Sequence, residues 1–245
     1  MDNIKITEYK RNCLLGAVGA LLMVVGDLSL SLVKADSADE GLYIREAYLS
    51  GTYPSWRIVL LLVTGIIGMA LYAFGIKAMY EQILPECKKS RAIVKYSGIV
   101  FAVSGITLHF FVGTLAYWVS YLSKHIGREQ AISFVDDYYN CIFPAMIIVY
   151  IPIVLLIFTS VIALLRKKTI MDRKMVVFHL LVWQLIFMLI PDIRQALGAD
   201  ASTVDYVLSQ ASGNMAGFIW LIASYVWIKK NNCAKYSKGE NKCQA

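Results

Sequence analysis

The sequence predicts an all-helical membrane bundle with six transmembrane helices. Three observations carry that expectation. Hydrophobic residues make up 58% of the 245 and charged residues only 17%, well below the roughly 25% usual in a soluble domain. The charges sit in short blocks separated by long apolar runs. Six of those runs approach the roughly 20 residues a helix needs to cross the hydrocarbon core.

Taken in order, the expected spans are 13–33, 58–79, 96–122, 142–165, 175–191 and 211–228. Together they form one integral membrane domain over residues 1–245. The segments are apolar all round, as in Ile58-Val59-Leu60-Leu61-Leu62-Val63. A transmembrane barrel strand would instead alternate polar and apolar residues. A helix satisfies its own backbone hydrogen bonds in lipid. The first span follows Lys5, Lys10 and Arg11 and precedes Ala35-Asp36-Ser37-Ala38, in the manner of a signal peptide. Its apolar region is too long for one and is interrupted by Asp27, so it is expected to be retained. Pro191 is expected to end or kink the fifth span, and Pro144 and Pro152 to kink the fourth.

Orientation follows from lysine and arginine. Eighteen of the 24 fall in the two tails and in the second and fourth connections; the other six are Lys34, Arg45, Arg57, Lys124, Arg128 and Arg194. That asymmetry places both termini in the cytoplasm, and a cell-membrane location goes with it. The opposite side carries acids, among them Asp36, Asp39, Glu40, Glu46, Asp136, Asp137 and Asp192. The Asp136–Asp137 pair reads as a solvated turn or helix start. Tyr53, Trp56, Tyr121, Tyr138 and Tyr139 fall near the outer boundary, and Trp227 and Tyr236 near the inner one, as half-wet aromatic side chains prefer. The long first outer loop is a place for a short interfacial helix. Of Cys13, Cys87, Cys141, Cys233 and Cys243, only Cys141 lies on the outer side, which leaves no intrachain disulfide there.

Small residues let helices approach in lipid, where there is no hydrophobic drive to associate. The first span aligns Gly16, Ala20, Met23 and Asp27, and the second Gly65, Gly68, Tyr72 and Gly75. The third aligns Gly98, Ala102, Gly105, His109, Gly113 and Tyr117, the clearest of these faces, with close contact expected at Gly105. The sixth aligns Gln210, Asn214, Gly217, Leu221 and Ser224.

Asp27 and His109 ride on those faces. At about 1.5 Å per residue both lie roughly 20 Å above the inner boundary, so they are expected to share one polar site in the outer half. Asn214 enters from the outer side, and Asp192 and Arg194 follow the fifth span there. These five are the candidate ligand-binding residues, because an intramembrane ionisable group is costly unless it faces protein or water. His179, near the inner end of the fifth span, reads as a residue that simply reaches water.

No HxxxH or HExxH pair, GxSxG elbow or phosphate loop is present. No catalytic residue, metal site or cofactor is therefore assigned. The net charge of +7 lies in loops, without a basic stripe interleaved with aromatics, so nucleic acid is not an expected partner. The lipid bilayer is, and no protein partner is identified. Gly26-Asp27, Trp56-Arg57, Gly68, Tyr72 and Gly75, and Pro191 followed by Asn214 resemble uncharacterised prokaryotic multi-span families of unknown function. The resemblance implies a small bacterial inner-membrane protein and supplies no activity. Three functions stay open: binding or passage of a small molecule or ion through an outer-half polar cavity, a structural or accessory role, and an intramembrane enzyme using Asp27 and His109.

Overall fold

A computed structural model describes residues 3–36, 44–200 and 202–240, with 3, 4 and 232–240 as backbone alone. Asp39, Glu40, Ser37, Ala38 and Lys242, and the side chains of Cys233, Cys243, Tyr236, Lys235 and Lys238, lie outside what is described. Six helices are long and apolar enough to cross a membrane. They are α1 (Asn3–Ser31), α3 (Ser55–Glu81), α4 (Lys88–Ile126), α5 (Arg128–Leu165), α6 (Leu180–Ala196) counted with the turn that leads into it from Arg173, and α7 (Thr203–Glu240). A single turn, α2 (Glu46–Leu49), occupies the first long loop, and a 3-10 turn over Arg173–Phe178 leads into α6.

Two boundaries differ from expectation. The segment expected to be a loop between the third and fourth spans is helical almost throughout. Helix α5 starts at Arg128, so Asp136 and Asp137 lie inside it, exposed, rather than at a turn or helix start. Polar residues shift a helix out of lipid without breaking it. What breaks the chain is Gly127 alone, at φ 98 and ψ 162, a conformation open essentially to glycine. Helix α6 runs through Pro191 to Ala196 rather than ending there. Proline forfeits one backbone bond, which a membrane helix tolerates.

The helices pack as a curved row in the order α5, α4, α3, α1, α7, α6. Helix α1 is central, with 56% of its apolar window buried against 17% for the α6 segment. The closest approach is between α1 and α3, not on the third-span face. A Cβ on Gly19 would overlap the backbone of Gly68 and Tyr72, and one on Gly16 would meet the backbone of Gly75. Along α4 the glycines meet side chains instead: Gly105 packs on Met69 and Gly98 on Ile76. Side chains can yield and backbone cannot, so the α1–α3 seam is the rigid spine.

Both ends of the spine are tied, by different means. The basic end holds the start of α1, the end of α7 and the connections on either side of Ile83 and Thr169. There Ile170 N donates to Gln82 O (2.8 Å) and Leu84 N to Lys168 O (3.0 Å), joining the two connections. Buried Gln82 also donates through Nε2 to Tyr9 Oη (2.7 Å) and to Ser224 Oγ (3.2 Å), linking α3's end to α1 and α7.

At the far end the carbonyls closing α1, which have no partner within the helix, receive side-chain donors. Tyr48 Oη donates to Leu30 O (3.1 Å), Tyr53 Oη to Ser29 O (3.0 Å) and Thr203 Oγ1 to Val33 O (2.9 Å). Arg45 Nη1 donates to Ser31 O (3.4 Å) and Arg57 Nη1 to Leu32 O (3.0 Å). Burial pushes the Tyr53 phenol above its ordinary range, which keeps it a donor. Tyr53 is thus a buried cap, not merely a boundary aromatic. Arg45 is fully buried, with its guanidinium 4.0 Å from the Tyr206 ring centroid.

Candidate functional site

Asp27 lies four residues before the end of α1, buried at 5% exposure. Its carboxylate is met from α7: Asn214 Nδ2 donates to Asp27 Oδ2 at 2.7 Å. A carboxylate is acceptor-only, so this bond fixes the amide's orientation and leaves Asn214 Oδ1 as an open acceptor. No lysine or arginine pairs with Asp27 among the described residues.

His109 stands at the same level but on another wall. Gly26, beside Asp27, abuts Thr64, and His109 abuts Gly65, whose added Cβ would lie 2.7 Å from the imidazole Cγ. Thr64 and Gly65 are neighbours on α3, so the depth agreement expected from the sequence holds. The direct pairing does not: no Asp27–His109 hydrogen bond or ion pair is formed among the described residues. The cause is the row order, which inserts α3 between α1 and α4. His109 keeps part of its surface open.

Two carboxamides complete the polar surroundings. Gln210 is one turn beyond Asn214 on α7, and its Oε1 is buried without a hydrogen-bond partner. Gln184 of α6 lies over Gly213, with Nε2 3.9 Å from where a Cβ would stand. Both had been legible only as polar positions within spans. Their spacing to Asn214 was visible for Gln210, at four residues on one helix, whereas Gln184 depended on how α6 lies on α7.

Asp192 and Arg194 are elsewhere. Asp192 is exposed near the end of α6. Arg194 pairs with Asp205, Nε to Oδ1 at 3.5 Å. Asp205 reaches back to the cap of α7: Ser202 N and Oγ donate to its Oδ2 at 2.8 and 2.7 Å. The Ser-x-x-Asp spacing over 202–205 is a helix-start signature that could have identified Arg194's partner from sequence.

His179 does not reach water; it is fully buried. Its Nδ1 accepts from Leu181 N (3.2 Å), capping α6. That leaves Nε2 as the protonated nitrogen of the neutral ring, donating to Ser160 Oγ (3.0 Å), whose own proton goes to Ile157 O (2.9 Å). A histidine held as donor toward a serine cannot take that serine's proton. The pair is a tie between α5 and α6, and the ring packs on Trp220 at 4.8 Å. Among the described residues no group of three or more His, Cys, Asp or Glu is placed to hold a metal.

Fold and site together define a multi-helix bundle of membrane-spanning character with an acceptor-rich polar cluster between α1, α6 and α7. The chain belongs to DUF6796, a family of unknown function, which matches residues 1–231. Neither the curated proteins nor the solved structures offer a match to it.

Proposed function

We propose that this is a multi-pass cell-membrane protein with both termini in the cytoplasm, whose outer half binds a small molecule or ion at Asp27 and Asn214. The basic end is then the cytoplasmic end, as the lysine and arginine asymmetry argues. One observation carries the ligand reading. The buried Asp27 carboxyl, deep in an apolar bundle, is met by a single neutral donor, and Gln210 Oε1 nearby is buried with none. Buried polar atoms normally have partners, and a ligand supplies them here. Gln184 lies beside this pair over Gly213, and His109 stands at the same level across α3. Asp192 and Arg194 sit at the approach, with Arg194 engaged by Asp205.

The Asp27–Asn214 bond also favours a second reading, a clamp between α1 and α7 in an accessory protein that holds no ligand. An enzyme using Asp27 and His109 finds less support, because the two are not in hydrogen-bond contact.

Thiol accessibility separates the first two readings. Gly213 has room for a Cβ, so Gly213→Cys should fold in a background lacking native cysteines. A membrane-impermeant thiol reagent applied to intact cells should modify it. Native Cys141, which is exposed, retained as the lone cysteine should react from the same side. Labelling of Cys141 with a silent Gly213→Cys leaves the clamp. Labelling of Cys141 from the cytoplasmic side alone overturns the orientation.

A further inference from the structure

The polar cluster is reached from the side. Helices α5 and α6 end the row, and each packs chiefly on one neighbour, α5 on α4 and α6 on α7. Their contact with each other is slight, and the side-chain bond found there, Ser160–His179, belongs to the first residue of α6's entry and the last turns of α5. Toward the far end the apolar cluster is built from α1 to α5 and contains no residue of α6 or α7. Burial along one face of α7 records the same opening. Ser224, Leu221 and Gly217 are buried, whereas Asn214 and Gln210, farther out, are half-exposed. The helices bordering the gap show apolar side chains, among them Phe143 and Ile147 of α5 and Leu185 and Leu189 of α6.

The chemistry inside the gap is one-sided. Asp27 Oδ1, Asn214 Oδ1 and Gln210 Oε1 are oxygens that no donor fills among the described residues, and one of them belongs to a carboxyl group with no cationic side chain opposite. A primary ammonium has three donors, no acceptor and one positive charge. Resting on the ligand-site reading above, we propose that the cleft between α5 and α6 takes a long-chain amphiphile with a primary ammonium head. It enters from the surrounding lipid, its head meeting Asp27, Asn214 and Gln210 and its chain lying between α5 and α6. Hydrogen bonds to an ionised group are the strong ones, and the chain remains in an apolar medium throughout.

The test uses the full chain in phosphatidylcholine nanodiscs, with dodecylamine, butylamine, dodecanol and sodium chloride as probes and thermal unfolding and calorimetric titration as readouts. Dodecylamine should bind saturably and at least about tenfold more tightly than butylamine, while dodecanol should not bind. Asp27→Asn should weaken dodecylamine by about tenfold or more, the scale of a charge-assisted bond. Gln210→Met, which removes an acceptor without touching the α1–α7 bond, should weaken it by about threefold to tenfold and keeps the test informative if Asp27→Asn does not fold. Equal dodecylamine binding by wild type and Gln210→Met, the mark of simple partition into lipid, overturns the proposal. So does stabilisation by sodium ion equal to that by dodecylamine, or butylamine matching dodecylamine. Those last two results, with Gly213→Cys reactive, leave the ligand site standing and remove only its lipid-derived occupant.

Discussion

The basic end and the far end of this bundle are built on opposite plans. At the basic end, loops from separate helix pairs exchange backbone bonds, and one buried glutamine at the end of α3 reaches both α1 and α7. Every helix there is held by more than one other. At the far end the spine is capped, but α5 and α6 lean on single partners and the polar residues between them are incompletely satisfied. The contrast separates the part of a small helical protein that holds its stability from the part that leaves room. Backbone bonds between connections close the basic end, whereas at the far end side-chain donors cap α1 and Gln210 Oε1 stays unfilled.

Three substitutions test that contrast, in falling order of effect. Gly68→Leu strikes the spine shared by both ends. Its Cβ would stand 2.6 Å from Met23 Cγ and 2.8 Å from Gly19 O, and backbone cannot move aside. We expect a loss of about 3 kcal/mol or more, seen as failure to recover monodisperse protein from detergent. Normal recovery would mean that α1 and α3 are not in contact. Gln82→Leu removes two side-chain bonds in a buried setting, to Tyr9 and to Ser224, so a loss of about 2–3 kcal/mol is expected in thermal unfolding. Gln184→Leu in the far-end cleft should change stability by less than about 0.5 kcal/mol, because its side chain makes no hydrogen bond among the described residues. Equal losses from the two glutamine substitutions would erase the distinction between the ends.

The sequence carried the architecture well, because the number of spans and the depth of a residue depend on hydropathy and helical rise, which are local. Asp27 and His109 do fall at one level. What it did not carry was neighbour order. Small-residue faces identify which side of a helix is packed without naming the partner, so α3 between α1 and α4 was invisible, and with it the separation of Asp27 from His109. Asn214 was found as a polar residue near the right depth, yet its role as the partner of Asp27 required α7 beside α1. Loop reading failed at 128–141 for a simple reason. Hydropathy reports the medium around a helix and not its hydrogen bonds, and the one residue that breaks the chain, Gly127, is a single position among many glycines. His179 failed the other way, since its burial depends on Ser160 and Trp220, remote in sequence.

The cap on α1 also shapes the electrostatic route to Asp27. A helix ends in about half a negative charge, and here two of the donors that cover it are the guanidinium groups of Arg45 and Arg57. A cation descending along the bundle axis would first pass both. At a separation of about 8 Å and an effective dielectric of about 20, each opposes it by roughly 2 kcal/mol. An anion would be drawn to that mouth and then repelled by Asp27. On the ligand-site reading proposed above, these groups make two stages along the axis, the two guanidinium groups outside and the Asp27 carboxyl within. A cation moving sideways between α5 and α6 meets only the second stage, the one that attracts it.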